Sequence, residues 1–413
     1  MMNRERFWKY ALPCLLTAAL LGGCMAPPAP APGIHRGPVL SRPVVTPPPS
    51  NSARAIATAD SATATPQKTV RIGLLVPLTG REAELGRALR DAAAVSLFDK
   101  YTRLSARQQG VRVELLPRDT GDTPQQAAEA MEHALADGAA FIIGPLFAEA
   151  TSAAAPRARA KDISVLSLSN TRTQASPGTY MFGFSPAEQA ERVVSYAIAA
   201  GKPRIAVLAP GDALGNIVLT AARNAARHQG FELAAEATYL PQGADIEGAL
   251  NRLMPPGTAP AFDALLIPEG GPALDTLLRG LSARGVTPGS MQFLGTGLWD
   301  DAELLQRVAL DKAWVASSPP ELTGAFDRRF RETYGYTAPR IASLAYDAVA
   351  LAVTLATSGR PFDAATLTQK AGFSGPTNGI FRLRANGLVQ RGLAVMEVHG
   401  RSLRVISPAP AGF

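Results

Sequence analysis

The chain is poor in the residues that usually carry chemistry. It has two cysteines in 413 residues, Cys14 and Cys24, both outside the stretch that reads as folded. That excludes a disulfide framework and a cysteine-built metal site. Its four histidines, His35, His133, His228 and His399, are not spaced as metal ligands. No G-x-S-x-G elbow, P-loop or complete G-x-G-x-x-G occurs. Gly295-Thr296-Gly297 lacks the third glycine, and Gly372-Phe373-Ser374-Gly375 reads as a turn. These absences predict a protein that is not an enzyme and carries neither cofactor nor metal. The formal charge is +7, but the basic residues are scattered and not interleaved with aromatics. That is a solvated surface, and no nucleic-acid partner is expected. No apolar run reaches the ~20 residues of a membrane-spanning helix.

The two ends of residues 1–68 differ. Arg4, Arg6 and Lys9 precede an apolar stretch from Ala11 to Leu21. A basic start, a short apolar core and small residues after it predict a secretory signal over 1–23. Leu21-Gly22-Gly23-Cys24 resembles the bacterial lipobox. That resemblance implies that Cys24 becomes the first mature residue and is acylated, since stable anchoring needs more than one chain. Met25 then favours the periplasmic face of the outer membrane over the inner membrane. Residues 25–68 hold ten prolines, one acid and no Phe, Trp or Tyr. Such a composition predicts a disordered tether between the anchor and a folded body.

The body alternates strand and helix. "TVRIGLLVPL" (69–78), "VRVELLP" (111–117), "AAFIIGPL" (139–146) and "ISVLSLS" (163–169) read as buried strands with helical patterns between them. The rhythm restarts at "RIAVLAP" (204–210) and continues through "ELAAEATYL" (232–240), "ALLIPEG" (264–270), "QFLGTG" (292–297) and "AWVASSP" (313–319). Near-continuous apolar strands alternating with helices predict parallel sheets covered on both faces. The fold class expected is α/β: two Rossmann-like lobes around a hinged cleft. Lobe 1 is assigned 69–183 plus 321–373, lobe 2 184–320 plus 374–407, and 408–413 a tail. Residues 379–398 read as one hairpin turning at Ala385-Asn386-Gly387. Ligands of open α/β sheets bind at the carboxyl ends of the strands.

"IGLLVPLTGREAELGRALRDAAAVSL", "FIIGPLFAEATSAAAPRARAKDISVLSLSNT" and "RIAVLAPGDALGNIVLTAARNAARHQGFEL" together resemble the type I periplasmic binding proteins of the leucine/isoleucine/valine-binding group. The resemblance implies a small solute held between the lobes and an ABC permease as partner. "FLGTGLWDD", "RIASLAYDAVALA" and "GIFRLRANGLVQRGLAVMEV" resemble the C-terminal domain of outer-membrane lipoproteins that activate penicillin-binding proteins. That second resemblance, strongest at Arg391-Gly392-Leu393, implies a peptidoglycan synthase as partner and a muropeptide as a further candidate ligand. Regulation of peptidoglycan synthesis leads, with solute uptake as the alternative.

The resemblance also places cleft candidates. Leu78 and Thr79 follow the first strand. Ala148 starts the cleft helix where amino-acid binders carry a serine, and Glu149 follows it. Ser169, Asn170 and Thr171 follow the fourth strand. In the second lobe Leu214 stands where an aromatic is usual, and Gly297 and Trp299 where an acid for the ligand's ammonium is usual. Glu269 and Asp300 lie near at shifted positions. Thr79 either donates to a ligand or caps the next helix. Trp299 either stacks on a ligand ring or packs in the core near Trp314. Glu269 either meets a cation or favours a helix start. Tyr346-Asp347 reads as packing and capping.

Overall fold

The computed structural model describes residues 68–104 and 110–413. The signal, Cys24 and the proline-rich segment lie outside the described residues. In the first lobe, β1 (Lys68–Val76), β2 (Val111–Asp119), β3 (Ala139–Ile143), β4 (Val165–Ser167) and β5 (Thr179–Met181) form a parallel sheet in the order β2-β1-β3-β4-β5. Helices α1 (Ala83–Tyr101), α2 (Pro124–Ala136) and α3 (Ala148–Arg159) cover it. Local chemistry explains their starts. Thr123 and Gln126 form a capping box with Pro124 at the first helical position of α2.

The chain then crosses to the second lobe through α4 (Pro186–Ala199). This helix was not expected from the apolar rhythm. Its signal is at its start: the Ser185 hydroxyl accepts from the Glu188 N–H, and Pro186 opens the first turn. The second lobe runs β6 (Ile205–Pro210), α5 (Ala213–His228), β7 (Ala235–Tyr239), α6 (Ile246–Leu253), β8 (Ala264–Leu266), α7 (Gly271–Ala283), β9 (Gln292–Gly295) and β10 (Trp314–Ser317). It returns to the first lobe through α8 (Pro320–Tyr334), α9 (Ala342–Thr357) and α10 (Ala364–Leu367). Nearly every residue of α9 is buried, as expected of a helix apolar all round.

The hairpin expected near the end of the chain turns at Ala385-Asn386-Gly387 as read, but its second strand stops at Arg391 instead of running on to 398. β11 (Phe373–Gly375), β12 (Gly379–Leu383) and β13 (Val389–Arg391) form a small antiparallel sheet. Phe381, Leu383 and Val389 sit in the first lobe's core, so residues assigned to lobe 2 from 374 to 391 pack with lobe 1. At Gly392 the chain crosses again, and β14 (Ala394–His399) and β15 (Ser402–Ser407) extend the second sheet. That sheet reads β15-β14-β10-β9-β8-β6-β7, with the last two strands antiparallel. The apolar runs on both sides of Gly392 look continuous in sequence because each enters a core, but the cores differ.

Both lobes use one device to seat the helix that follows their first strand. A Cβ at Gly86 of α1 would lie 1.6 Å from the Pro77 carbonyl oxygen. A Cβ at Gly215 of α5 would lie 1.8 Å from that of Pro210. Each helix therefore approaches its strand end closely only because that position lacks a side chain. Three crossings, at 182–185, 318–319 and 392–393, connect the lobes.

Candidate functional site

Between the lobes lies a cavity of about 400 Å³. Lobe 1 contributes Asn170, Arg340 and Ile341, the first crossing contributes Phe184, and lobe 2 contributes Leu214 and Leu298 among others. One wall is apolar. The other is a hydrogen-bonded cluster centred on Arg340, just ahead of α9. Its Nε donates to Asp300 Oδ2 at 3.2 Å, its Nη1 to Ser343 Oγ at 3.1 Å and to Asn378 Oδ1 at 2.8 Å, and its Nη2 to Ser317 Oγ at 3.3 Å. The guanidinium also lies 4.6 Å from the centre of the Phe184 ring. Ser317 in turn donates to Asp300 Oδ2 at 2.8 Å. Arg340 and Asn378 belong to lobe 1, and Asp300 and Ser317 to lobe 2, so this cluster ties the two lobes at the back of the cavity.

The cluster rests on Asp347 of α9, which is fully buried. Its carboxylate accepts from the Thr377 N–H and hydroxyl and from the Asn378 N–H and side-chain amide. Burial pushes its proton affinity up, against the pull of these donors. Across the cavity, Gln189 of α4 accepts from the Gly297 N–H at 3.0 Å. The Thr296 hydroxyl beside it is buried without a hydrogen-bond partner among the described residues.

The expected residues divide. Asn170, Leu214 and Gly297 line the cavity. Leu78 and Thr79 do not. Asp119 accepts from the Leu78 N–H at 2.7 Å, the Thr79 N–H at 3.2 Å and the Thr79 hydroxyl at 2.5 Å. Burial alone would raise the Asp119 carboxyl, but the Thr79 hydroxyl and the Gly121, Leu78 and Thr79 N–H groups hold it below its ordinary value. Thr79 thus fixes the first loop and caps no helix. Ala148 and Glu149 line a separate cavity of about 330 Å³ within lobe 1, beside Arg81 and Phe147. Ser169 is buried and accepts from the Thr171 N–H at 3.2 Å, closing a turn. Thr171 stands ahead of a single helical turn at Arg172–Gln174, outside the cavity's lining.

Trp299 is wholly buried in the second lobe's core, and its Nε1 donates to the Glu269 carbonyl at 2.8 Å. It is a core residue, but not beside Trp314, which packs in the cluster on the sheet's other face. The Glu269 carboxylate accepts from the Tyr239 hydroxyl at 2.5 Å and from the Gly270 N–H at 2.9 Å, a structural role. Burial and the Glu269 carboxylate both push the Tyr239 hydroxyl up. Tyr346 donates to Asp99 Oδ2 at 2.9 Å, so it packs α9 on α1. Sequence reasoning missed Arg340, Gln189 and Phe184. The capping signal at Ser185-Pro186 could have found Gln189; Arg340 carries no local signal, because three of its four partners, Asp300, Ser317 and Asn378, lie on distant segments.

Arg391, which carried the second resemblance, is 6% exposed. It donates to the Phe182 carbonyl, and its guanidinium lies 4.3, 5.5 and 5.7 Å from the Phe182, Phe184 and Phe381 rings. It is a pin inside the hinge, with Phe184 touched by both Arg340 and Arg391.

Two α/β lobes with strand ends facing a shared cavity, joined by three crossings, define a hinged binding protein. The chain belongs to the periplasmic binding protein family, whose model matches residues 69–402. Members of this extracytoplasmic family bind substrates and are not enzymes. A protein of Rhodospirillum rubrum assigned to branched-chain amino acid ABC transport is 20% identical, with a TM-score of 0.70 over 82% of this chain and all of that one. A solute-binding protein of Rhodopseudomonas palustris solved with 3,4-dihydroxybenzoic acid is 20% identical, with a TM-score of 0.60 over 84% of this chain and 97% of that one. A leucine-binding protein of Thermotoga maritima is 18% identical, with a TM-score of 0.58 over 83% of this chain and 99% of that one. At these identities the likeness shows the fold. An uncharacterised Rickettsia prowazekii protein is 28% identical over 130 residues, 32% of this chain and about a third (33%) of that relative's length. No helix among the described residues is long and apolar enough to cross a membrane.

Proposed function

We propose that the protein is a receptor for a small organic solute, held in the cavity between the lobes and passed to an ABC permease. The observation that carries this reading is the cavity itself. It is built jointly by both lobes, large enough for one small molecule, with apolar walls and a few polar groups, as ligand sites are. Closure about the hinge would let a ligand that touches both lobes select one lobe angle. The similar Rhodopseudomonas palustris protein solved with 3,4-dihydroxybenzoic acid supports a solute of this size. A free α-amino acid fits less well, because Glu269 and Trp299 are committed within the second lobe. A thermal-shift screen of the purified chain against amino acids, aromatic acids and muropeptides tests the proposal. A ligand at ~100 times its Kd adds ~2.7 kcal/mol of stability. A rise of a few degrees with one class supports the reading, and silence across the panel contradicts it.

A second reading is regulation of a penicillin-binding protein from the outer membrane. It is favoured by the sequence likeness at Arg391-Gly392-Leu393 and by the long proline-rich segment behind Cys24, which would serve as a tether. Acylation of Cys24 belongs to both readings. Cys24→Ser should move the protein from the membrane to the soluble fraction. Co-precipitation of a peptidoglycan synthase by the native chain would favour the second reading, and its absence after crosslinking would count against it.

A further inference from the structure

A second cavity, of about 590 Å³, lies against the third crossing and shares no lining residue with the interlobe cavity. Its charged groups come from four segments. Arg172 comes from the loop after β4. Glu188, Glu191 and Arg192 lie one turn apart on a single face of α4. Arg384 comes from the β12–β13 turn, and Arg391 from the end of β13. Four guanidinium groups therefore meet two carboxylates, an excess of positive charge by count. Burial pushes Glu188 up to about 7 despite Arg391 and Arg172, with Glu191 adding to the rise, and burial pushes Glu191 up as well.

Two of the arginines are already committed. Arg192 donates to the Leu393 carbonyl at 2.9 Å and to Ser407 Oγ at 2.7 Å, holding the final segment. Arg391 is enclosed by phenylalanine rings, so its charge underlies the cavity but does not enter it. The other two are open. Arg384 donates at 2.7 Å to the neutral Gln390 amide oxygen, and its charge reaches the Glu191 carboxylate only at longer range. The exposed Arg172 guanidinium likewise acts on Glu188 and Glu191 through space. The outcome is a lobe-bridging pocket with an excess of positive charge, whose rim guanidinium groups retain donors arranged for a forked acceptor.

We propose that this hinge pocket is a second binding site, for a small dianion of the dicarboxylate or phosphomonoester class, gripped by Arg172 and Arg384 over the buried charge of Arg391. The grip joins the loop after β4 and the β12–β13 turn to a pocket wall supplied by α4 of the other lobe. An occupant therefore biases the angle between the lobes, independently of any solute in the main cavity.

The test is isothermal titration of the purified full chain with sodium phosphate and with sodium succinate at constant ionic strength, using sodium chloride as the blank. The proposal expects saturable binding of at least one, weakened tenfold or more in the double variant Arg172→Ala/Arg384→Ala. Binding of phosphate alone assigns the phosphomonoester class, and of succinate alone the dicarboxylate class. No saturable binding of either, or unchanged affinity in the double variant, overturns it. If the double variant does not fold, Arg172→Gln and Arg384→Gln are titrated singly, and each must weaken binding. Leu214→Trp, which fills the main cavity, should leave the dianion isotherm unchanged, so that failure here and failure of the solute reading are separately visible.

Discussion

At the scale of single residues, the cleft depends on Arg340. Its planar fork serves Asp300, Ser317, Ser343 and Asn378 at once, a geometry that an ammonium cannot reproduce. Arg340→Ala should lower stability by about 1–3 kcal/mol, because Asp300 and Asn378 lose a charge-assisted donor. Arg340→Lys should restore only part of it. Urea unfolding of the three proteins reads this directly, and equal midpoints for the wild-type and Arg340→Ala proteins would remove the clasp from the account. Glu188 gives a pH signature. Its carboxyl is raised to about 7 in the folded chain, by burial first, so the fold favours the protonated form. That contribution is complete below the ordinary carboxylate range and is lost as pH rises through about 7. The unfolding midpoint should therefore fall between pH 5 and pH 7.5, and Glu188→Gln should flatten the fall. The raised carboxyls of Asp347 and Glu191 act in the same direction, so the comparison with the wild-type chain isolates Glu188. Identical pH slopes in both proteins would contradict the assignment.

At the scale of elements, the two strand–helix units that open the lobes stand or fall on a missing side chain. Gly215→Ala would drive a methyl group to within 1.8 Å of the Pro210 carbonyl oxygen. We expect a loss of about 1–3 kcal/mol from overpacking, read as a lowered melting temperature. Gly230→Ala is not a matched control, because its φ of +82° is itself unfavourable to a side chain; Gly324→Ala in α8, with no close heavy atom under 3.8 Å, is. Equal loss in both variants would show that the close approach is not limiting. The same scale shows what was legible in the sequence. Strands with continuous apolar runs, such as β1 and β6, declare themselves, because burial on both faces leaves no polar alternation. Helix α4 was missed since its apolar face alternates with Glu188, Glu191 and Arg192, which face the hinge pocket. The break at Gly392 was missed since an apolar run does not tell which of two cores receives it. Asn170, Leu214 and Gly297 line the cavity, while Thr79, Ser169, Glu269 and Trp299 turn inward to local partners. Hydroxyls and acids near strand ends are as well suited to fixing loops as to holding ligands, and only the three-dimensional partners distinguish the two.

At the scale of the molecule, stability comes from the separate apolar cores of the lobes. The many arginine–carboxylate pairs on the surface contribute little each. The crossings carry the polar specialisation instead. Phe184 lies between the guanidinium groups of Arg340 and Arg391, and the Asp347 cluster anchors the neighbouring turn. Two separately packed lobes meeting at a small joint are the arrangement that a ligand-driven change of lobe angle uses. The central claim is that a solute occupies the cavity between the lobes. The measurement that tests it most directly is the thermal shift of the wild-type chain and of Leu214→Trp with the solute class that responds in the screen. The account predicts a rise of a few degrees in the wild-type protein, abolished in Leu214→Trp while the melting temperature without solute is retained. A shift that survives Leu214→Trp, or no shift with any solute, would contradict it.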